Sequence, residues 1–127
     1  MAGTITIVNS FALTNGNRVI PTSGSSPQTI TQNGQGGGTP SVITAVTTGT
    51  GTTLDVTTIT TMGWARIQNL DLTNYVQLGV ISGGTFYPFA RLKPNEPASQ
   101  FRVEPGVVLA VKANTASCKV DCQVFED

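Results

Sequence analysis

The constraint that most limits this chain is that nothing in it repeats like a helix. No window of twelve or more residues carries apolar side chains at the spacing of one helical face. Short β-branched or aromatic runs recur instead: "TITIV" (4–8), "SVITAVTT" (41–48), "TLDVTTIT" (53–60), "WARIQN" (64–69), "YVQLGVI" (75–81), "FYPFARL" (86–92) and "VVLAVKA" (107–113). Asn15-Gly16, Asn33-Gly34 and Gly83-Gly84 lie between such runs. These dipeptides suit two-residue hairpins, whose central positions need the positive φ that Gly and Asn tolerate. Pro105-Gly106 suits a type II turn, with glycine at the third position. The pattern predicts an all-β fold: an antiparallel β-sandwich, jelly-roll-like, with extended N-terminal hairpins and loops.

A chain of 127 residues suffices for one core, so residues 1–127 are expected to form a single β-sandwich domain. Its surface character changes near residue 62. Residues 1–61 are rich in Thr and Gly and carry only Arg18 and Asp55 as charges, which suits contact-forming arms and strands. Residues 62–127 hold the other charges among well-patterned apolar residues and are expected to supply most of the core. Charged residues make up 11% of the chain, less than half the usual share of about 25%. Seven basic and seven acidic residues balance, which argues against nucleic-acid binding, since that needs a clustered basic surface. No run approaches the roughly 20 apolar residues of a membrane span, so no membrane partner is expected. The start Met1-Ala2-Gly3-Thr4 lacks a basic leader and apolar run, which predicts synthesis and retention in a cytoplasm.

Chemistry has few candidates. Asn69, Asp71 and Thr73 alternate like the first ligands of a calcium loop, with Asn74 and Tyr75 following. Such a loop needs glycine sixth and glutamate twelfth, where this chain has Asn74 and Val80. These five residues are therefore expected to form a structural corner, with Asp and Asn side chains accepting from backbone amides two residues on. There is no histidine, hence no Ser-His-Asp triad or histidine metal site. "GQGGGTP" fits neither a dinucleotide fingerprint nor a phosphate loop. The carboxylates are scattered, and no enzyme activity, metal or cofactor is expected. Trp64, Tyr75 and Tyr87 are the aromatics that a carbohydrate-binding sandwich would use as a platform. In "CKVDCQVF", Cys118 and Cys122 alternate with polar residues and lie roughly 13 Å apart along a strand, too far for a disulfide, so both are expected to be core thiols. The stretches "PTSGSSPQTITQNGQGGGTPS" (21–41) and "TTGTGTT" (47–53) approach low complexity. Within the first, Thr31, Gln32, Asn33, Gly34, Gln35, Gly36, Gly37 and Gly38 form a candidate contact loop reaching towards neighbouring subunits.

Residues 62–127 contain Asn69-x-Asp71-x-Thr73-Asn74-Tyr75-Val76, Leu92-Lys93-x-x-Glu96-x-Ala98 and Leu109-x-x-Lys112-Ala113-Asn114-Thr115. Through these motifs the segment resembles a group of small virion proteins of tailed bacteriophages. Asn95 stands where that pattern has a glycine before the glutamate. The resemblance implies a non-enzymatic virion protein, most like a capsid decoration (cement) protein on the outer face of a shell. Its implied partners are a major capsid protein and further copies of this chain, in a dimer or trimer, and its implied location is the virion. A tail, baseplate or fibre component of a phage particle and a free-standing carbohydrate-binding module are the competing functions.

Overall fold

A computed structural model describes residues 3–8, 11–15, 18–23, 28–32, 38–57 and 59–127. Among them there are twelve β-strands and no helix, so no helix is long and apolar enough to cross a membrane. The chain forms two compact units, Met1–Gln35 and Gly36–Asp127.

The first unit is a pair of nested antiparallel ladders. β1 (Gly3–Ile7) pairs with β4 (Gln28–Gln32), and β2 (Phe11–Asn15) pairs with β3 (Arg18–Ser23) inside it. Asn15 pairs with Arg18, so β2 and β3 form a hairpin with a two-residue connection, one position later than the Asn15-Gly16 signal places it. The turn residues themselves lie outside the described residues.

The second unit is an antiparallel sandwich of two four-stranded sheets. β5 (Gly38–Ala45), β7 (Met62–Asn69), β10 (Ser99–Arg102) and β12 (Cys118–Glu126) form the first, in the order β10-β7-β12-β5. β6 (Thr52–Thr53), β8 (Val76–Ser82), β9 (Thr85–Leu92) and β11 (Val108–Ala113) form the second, in the order β6-β11-β8-β9. The pairs β8–β9, β7–β10, β6–β11 and β5–β12 are concentric about Gly83-Gly84. Both glycines have positive φ, 56° and 76°, and Ser82 pairs with Thr85 across them, as a two-residue hairpin requires. Gly106, at φ 84°, turns the chain from β10 to β11, with Val107 N–H donating to Glu104 O, as the Pro105-Gly106 signal predicts.

The core lies between these sheets. β7 and β12 alternate strictly: Ala65, Ile67, Val120, Cys122 and Val124 face inward and are at most 2% exposed. Leu78, Val76, Val111 and Leu109 meet them from the other sheet. Each fully buried aliphatic of this size contributes roughly 1.5–3 kcal/mol. Among the described residues most of the core comes from residues 62–127, but Ala45 and Leu54 are also buried in it. β5 and β6 thus belong to the sandwich although they precede the composition change near residue 62.

Two sequence expectations fail here. "TLDVTTIT" yields only the end of β6, because Asp55 accepts from both the amide and the hydroxyl of Thr57 (3.0 and 2.8 Å) and draws the backbone into a local turn. Leu54, Val56 and Ile59 still pack on the core. The strands flanking Asn33-Gly34 do not form a hairpin with each other, since β4 pairs with β1 and β5 with β12.

The outer strands β9 and β5 carry Pro88 and Pro40, residues that lack an amide to offer an incoming strand. β9 also bulges: Leu78 pairs with Ala90 and Gly79 with Pro88, leaving Phe89 as the extra residue. Gly79 is required at this point, because a Cβ there would strike Tyr87 O and would lie 2.7 and 2.8 Å from two carbons of the Phe86 ring. Gly79→Ala should destabilise the protein by about 2 kcal/mol, the cost of overpacking a tight site, as measured by urea unfolding. A change within error would show that Phe86 and β9 yield freely.

Candidate functional site

The candidate residues Asn69, Asp71, Thr73, Asn74 and Tyr75 form a corner that carries the chain from the end of β7 to β8 in the opposite sheet. The corner is built from side chain to backbone. Asn69 is 5% exposed and uses its whole amide: Oδ1 accepts from Asp71 N–H at 2.9 Å, while Nδ2 donates to Asn74 O at 2.8 Å and Leu92 O at 3.0 Å. Asp71 Oδ1 then accepts from the amides of Thr73 (2.8 Å) and Asn74 (2.6 Å). These amides, Asn74 first, hold the Asp71 carboxyl below its ordinary pKa. Asn69 Oδ1 and Asp71 Oδ1 are thus engaged by backbone donors. No group of three or more His, Cys, Asp or Glu side chains placed to hold a metal occurs among the described residues.

Neighbouring segments close around this corner. Leu70 N–H donates to Lys119 O at 2.9 Å, and Asn114 N–H to Tyr75 O at 3.3 Å. Parts of the segments 69–76, 92–98 and 109–115 therefore meet at one end of the sandwich, where the corner touches Leu92, which opens the second, and Asn114, in the third. Asn95 takes φ 60°, a left-handed conformation that Asn tolerates better than most residues, and Glu96 Oε2 accepts from Lys93 N–H at 3.2 Å.

Tyr75 lies just before β8, under the Arg91 guanidinium, whose carbon is 4.3 Å from the ring centroid. The three aromatics of the carbohydrate reading lie on different elements: Trp64 is on β7 in one sheet, Tyr75 precedes β8, and Tyr87 pairs with Val80 within the β8–β9 ladder. In the contact loop, Thr31 and Gln32 end β4 and Gly38 begins β5. Asn33, Gly34, Gln35, Gly36 and Gly37 lie outside the described residues.

Both thiols are free and buried, as the strand pattern predicts. Burial, reinforced by Asp121, pushes Cys122 up to about 12. Burial first and the Asp71 charge second raise Cys118.

Sequence reasoning missed the cleft beside Arg91. It is an open hollow of about 270 Å³, lined by Gln77, Pro88, Phe89, Ala90 and Arg91. The bulge that shapes it breaks the strand period, and no motif marks it.

Asn69→Ala should cost about 2 kcal/mol, because it strands a buried carbonyl and an amide together. Asp71→Ala should cost less, and added calcium should leave the melting temperature of wild type unchanged; a calcium-dependent rise would restore the metal reading. Neither cysteine should react with a thiol reagent at mildly alkaline pH before unfolding. Because the folded-state thiol pKa of Cys122 exceeds the unfolded value of 9.0, its contribution is intact below pH 9 and is lost as pH rises towards about 12. Rapid native-state labelling of both residues would contradict their burial.

No protein family model, no curated protein and no solved structure matches the chain.

Proposed function

We propose that this chain is a non-enzymatic virion protein that binds the outer surface of a phage capsid at subunit junctions and stabilises the shell. The observation that carries this reading is the convergence of the three virion-like stretches on one hydrogen-bonded end of the sandwich, through Asn69, Leu92, Tyr75 and Asn114. Residues scattered over nearly 50 positions become one structural unit, as expected of a shared fold rather than a chance likeness. The strand order supports a jelly-roll wrap, an architecture used by viral capsid and lectin domains. Fold alone does not specify function. Asn69 Oδ1 and Asp71 Oδ1 serve the backbone, which favours a structural role over catalysis or metal binding.

Shell stabilisation needs no chemistry in this scheme. A standard protein interface buries about 1,600 Å² in total, and repetition over a lattice makes modest contacts collectively strong. The proposed partners are the major capsid protein and other copies of this chain, in dimers or trimers. The N-terminal unit is the proposed arm. Its ladders leave strand edges that can pair with a neighbour, since β1 and β4 pair with each other, as do β2 and β3.

The deciding measurement is the protein's place and copy number in purified particles, by electron cryo-microscopy. Hundreds of copies at lattice positions are expected. A handful at one vertex would indicate a tail component, and absence from the particle would overturn the reading. Removing residues 1–35 keeps all eight sandwich strands, so the remainder should unfold cooperatively with little loss of stability while particle binding falls sharply. Undiminished particle binding would exclude the arm role.

A further inference from the structure

We propose that the cleft on β9 is a docking site for an extended acidic segment of a partner protein, which places one carboxylate on Arg91 and an apolar side chain two residues away against Phe89. The inference does not depend on the partner being a capsid.

The site is built by the bulge. Pro88 pairs with Gly79, and Gln77 with Arg91, while Phe89 is the unpaired residue between them. Directly opposed residues of an antiparallel ladder share a face, so Gln77 and Arg91 stand together on the outer side of the sheet. Arg91 is exposed and makes no ion pair among the described residues, in contrast to Arg66 with Asp121 and Arg102 with Asp127. Its guanidinium is nevertheless held in place over Tyr75 at 4.3 Å, so less side-chain freedom is lost when an anion arrives. Phe89 is 58% exposed although its ring also meets Phe101 edge-on at 6.0 Å. An aromatic anchored on one side and open on the other is a suitable apolar contact.

Charge selects the occupant. The strands of this sheet carry two charged residues, Arg91 and Lys112, both cationic. Like charges would oppose a second copy docking through this face, whereas an acidic segment complements it. The hollow, about 270 Å³, is below the usual range of small-molecule pockets and suits a side chain or two of a larger partner. In an extended segment, alternate side chains lie on one face about 6.8 Å apart, so a carboxylate and an apolar side chain two residues away can both enter the hollow that Arg91 and Phe89 line. Arg presents two parallel donors to a carboxylate, and Gln77 can bond the segment beside it.

The test titrates the full chain, isotopically labelled, with a short synthetic peptide that alternates Glu with Leu, and follows amide resonances by NMR. Saturable shifts centred on Gln77, Ala90 and Arg91 are expected. They should weaken about tenfold in Arg91→Gln, less in Arg91→Lys, and diminish as salt is raised. Phe89→Ser should also weaken them, and unchanged melting temperatures would show that both variants remain folded. The same peptide with Gln for Glu should not bind. Absence of saturable shifts, equal binding of the Gln peptide, or binding of sialyllactose but not of the Glu peptide would overturn the proposal. So would concentration-dependent shifts of the same resonances without peptide, which would identify a second copy as the occupant.

Discussion

Concentric pairing about Gly83-Gly84 is the constraint on which the sandwich depends. Each strand before this turn pairs with its counterpart after it, out to β5 with β12. Rolling that ribbon adds the pairs β7–β12 and β8–β11 and brings two apolar faces together. Because side chains alternate with period two, a slip of one residue would move every inward residue outward. The bulge at Phe89 is such a slip, used locally. With unbroken pairing beyond Gly79, Arg91 would lie opposite the core residue Val76. The extra residue instead sets Arg91 against Gln77 outside and Leu92 against Val76 inside. One irregularity therefore completes the core and creates the exposed cation.

A sandwich whose chain passes repeatedly between sheets must satisfy the backbone at each crossing. Asn69 does this at the β7–β8 corner by accepting from one amide and donating to two carbonyls, one of them on β9's final residue. Asp71 continues the arrangement with two further amides. Elsewhere the crossings use other devices. Thr52 Oγ1 donates to Thr44 O at 2.7 Å, joining β6 to the strand in the opposite sheet. At the far end, Glu126, itself buried, accepts from Thr60 N–H at 2.9 Å. Polar side chains thus close the ends of the sandwich, leaving its middle to aliphatic packing.

What was legible in the sequence was local. Gly83-Gly84 and Pro105-Gly106 announce turns by the φ values they permit, and the alternation around Cys118 and Cys122 announces a strand with one buried face. The corner was legible as a corner because Asp71 serves amides two and three residues away. Its deeper function was not, because Asn69's second partner, Leu92, is 23 positions distant. "TLDVTTIT" misleads for the opposite reason: a local Asp55–Thr57 turn prevails over β-branched composition. The Phe89 cleft was hidden because Phe86, Pro88, Ala90 and Leu92 share one parity in sequence, while the bulge puts the first two and the last two on different faces.

The two outer faces of the sandwich differ in how far they satisfy themselves. On the sheet containing β7 and β12, Arg66 bonds Asp121 at 3.1 Å and Gln68 at 3.2 Å, and Arg102 meets Asp127 at 2.6 Å. Those cations gain little from a new partner, because docking would first have to displace neighbours already in place. The other sheet has no carboxylate on its strands, and its exposed apolar residues include Val108 and Phe89. Lys112 partly satisfies itself on Gly49 O at 2.7 Å, which leaves Arg91 as the more available charge. Desolvating an already paired ion costs more than recruiting an exposed, preoriented one. The proposed acidic partner would therefore gain more from the sheet that holds β9 than from the one that holds β7 and β12.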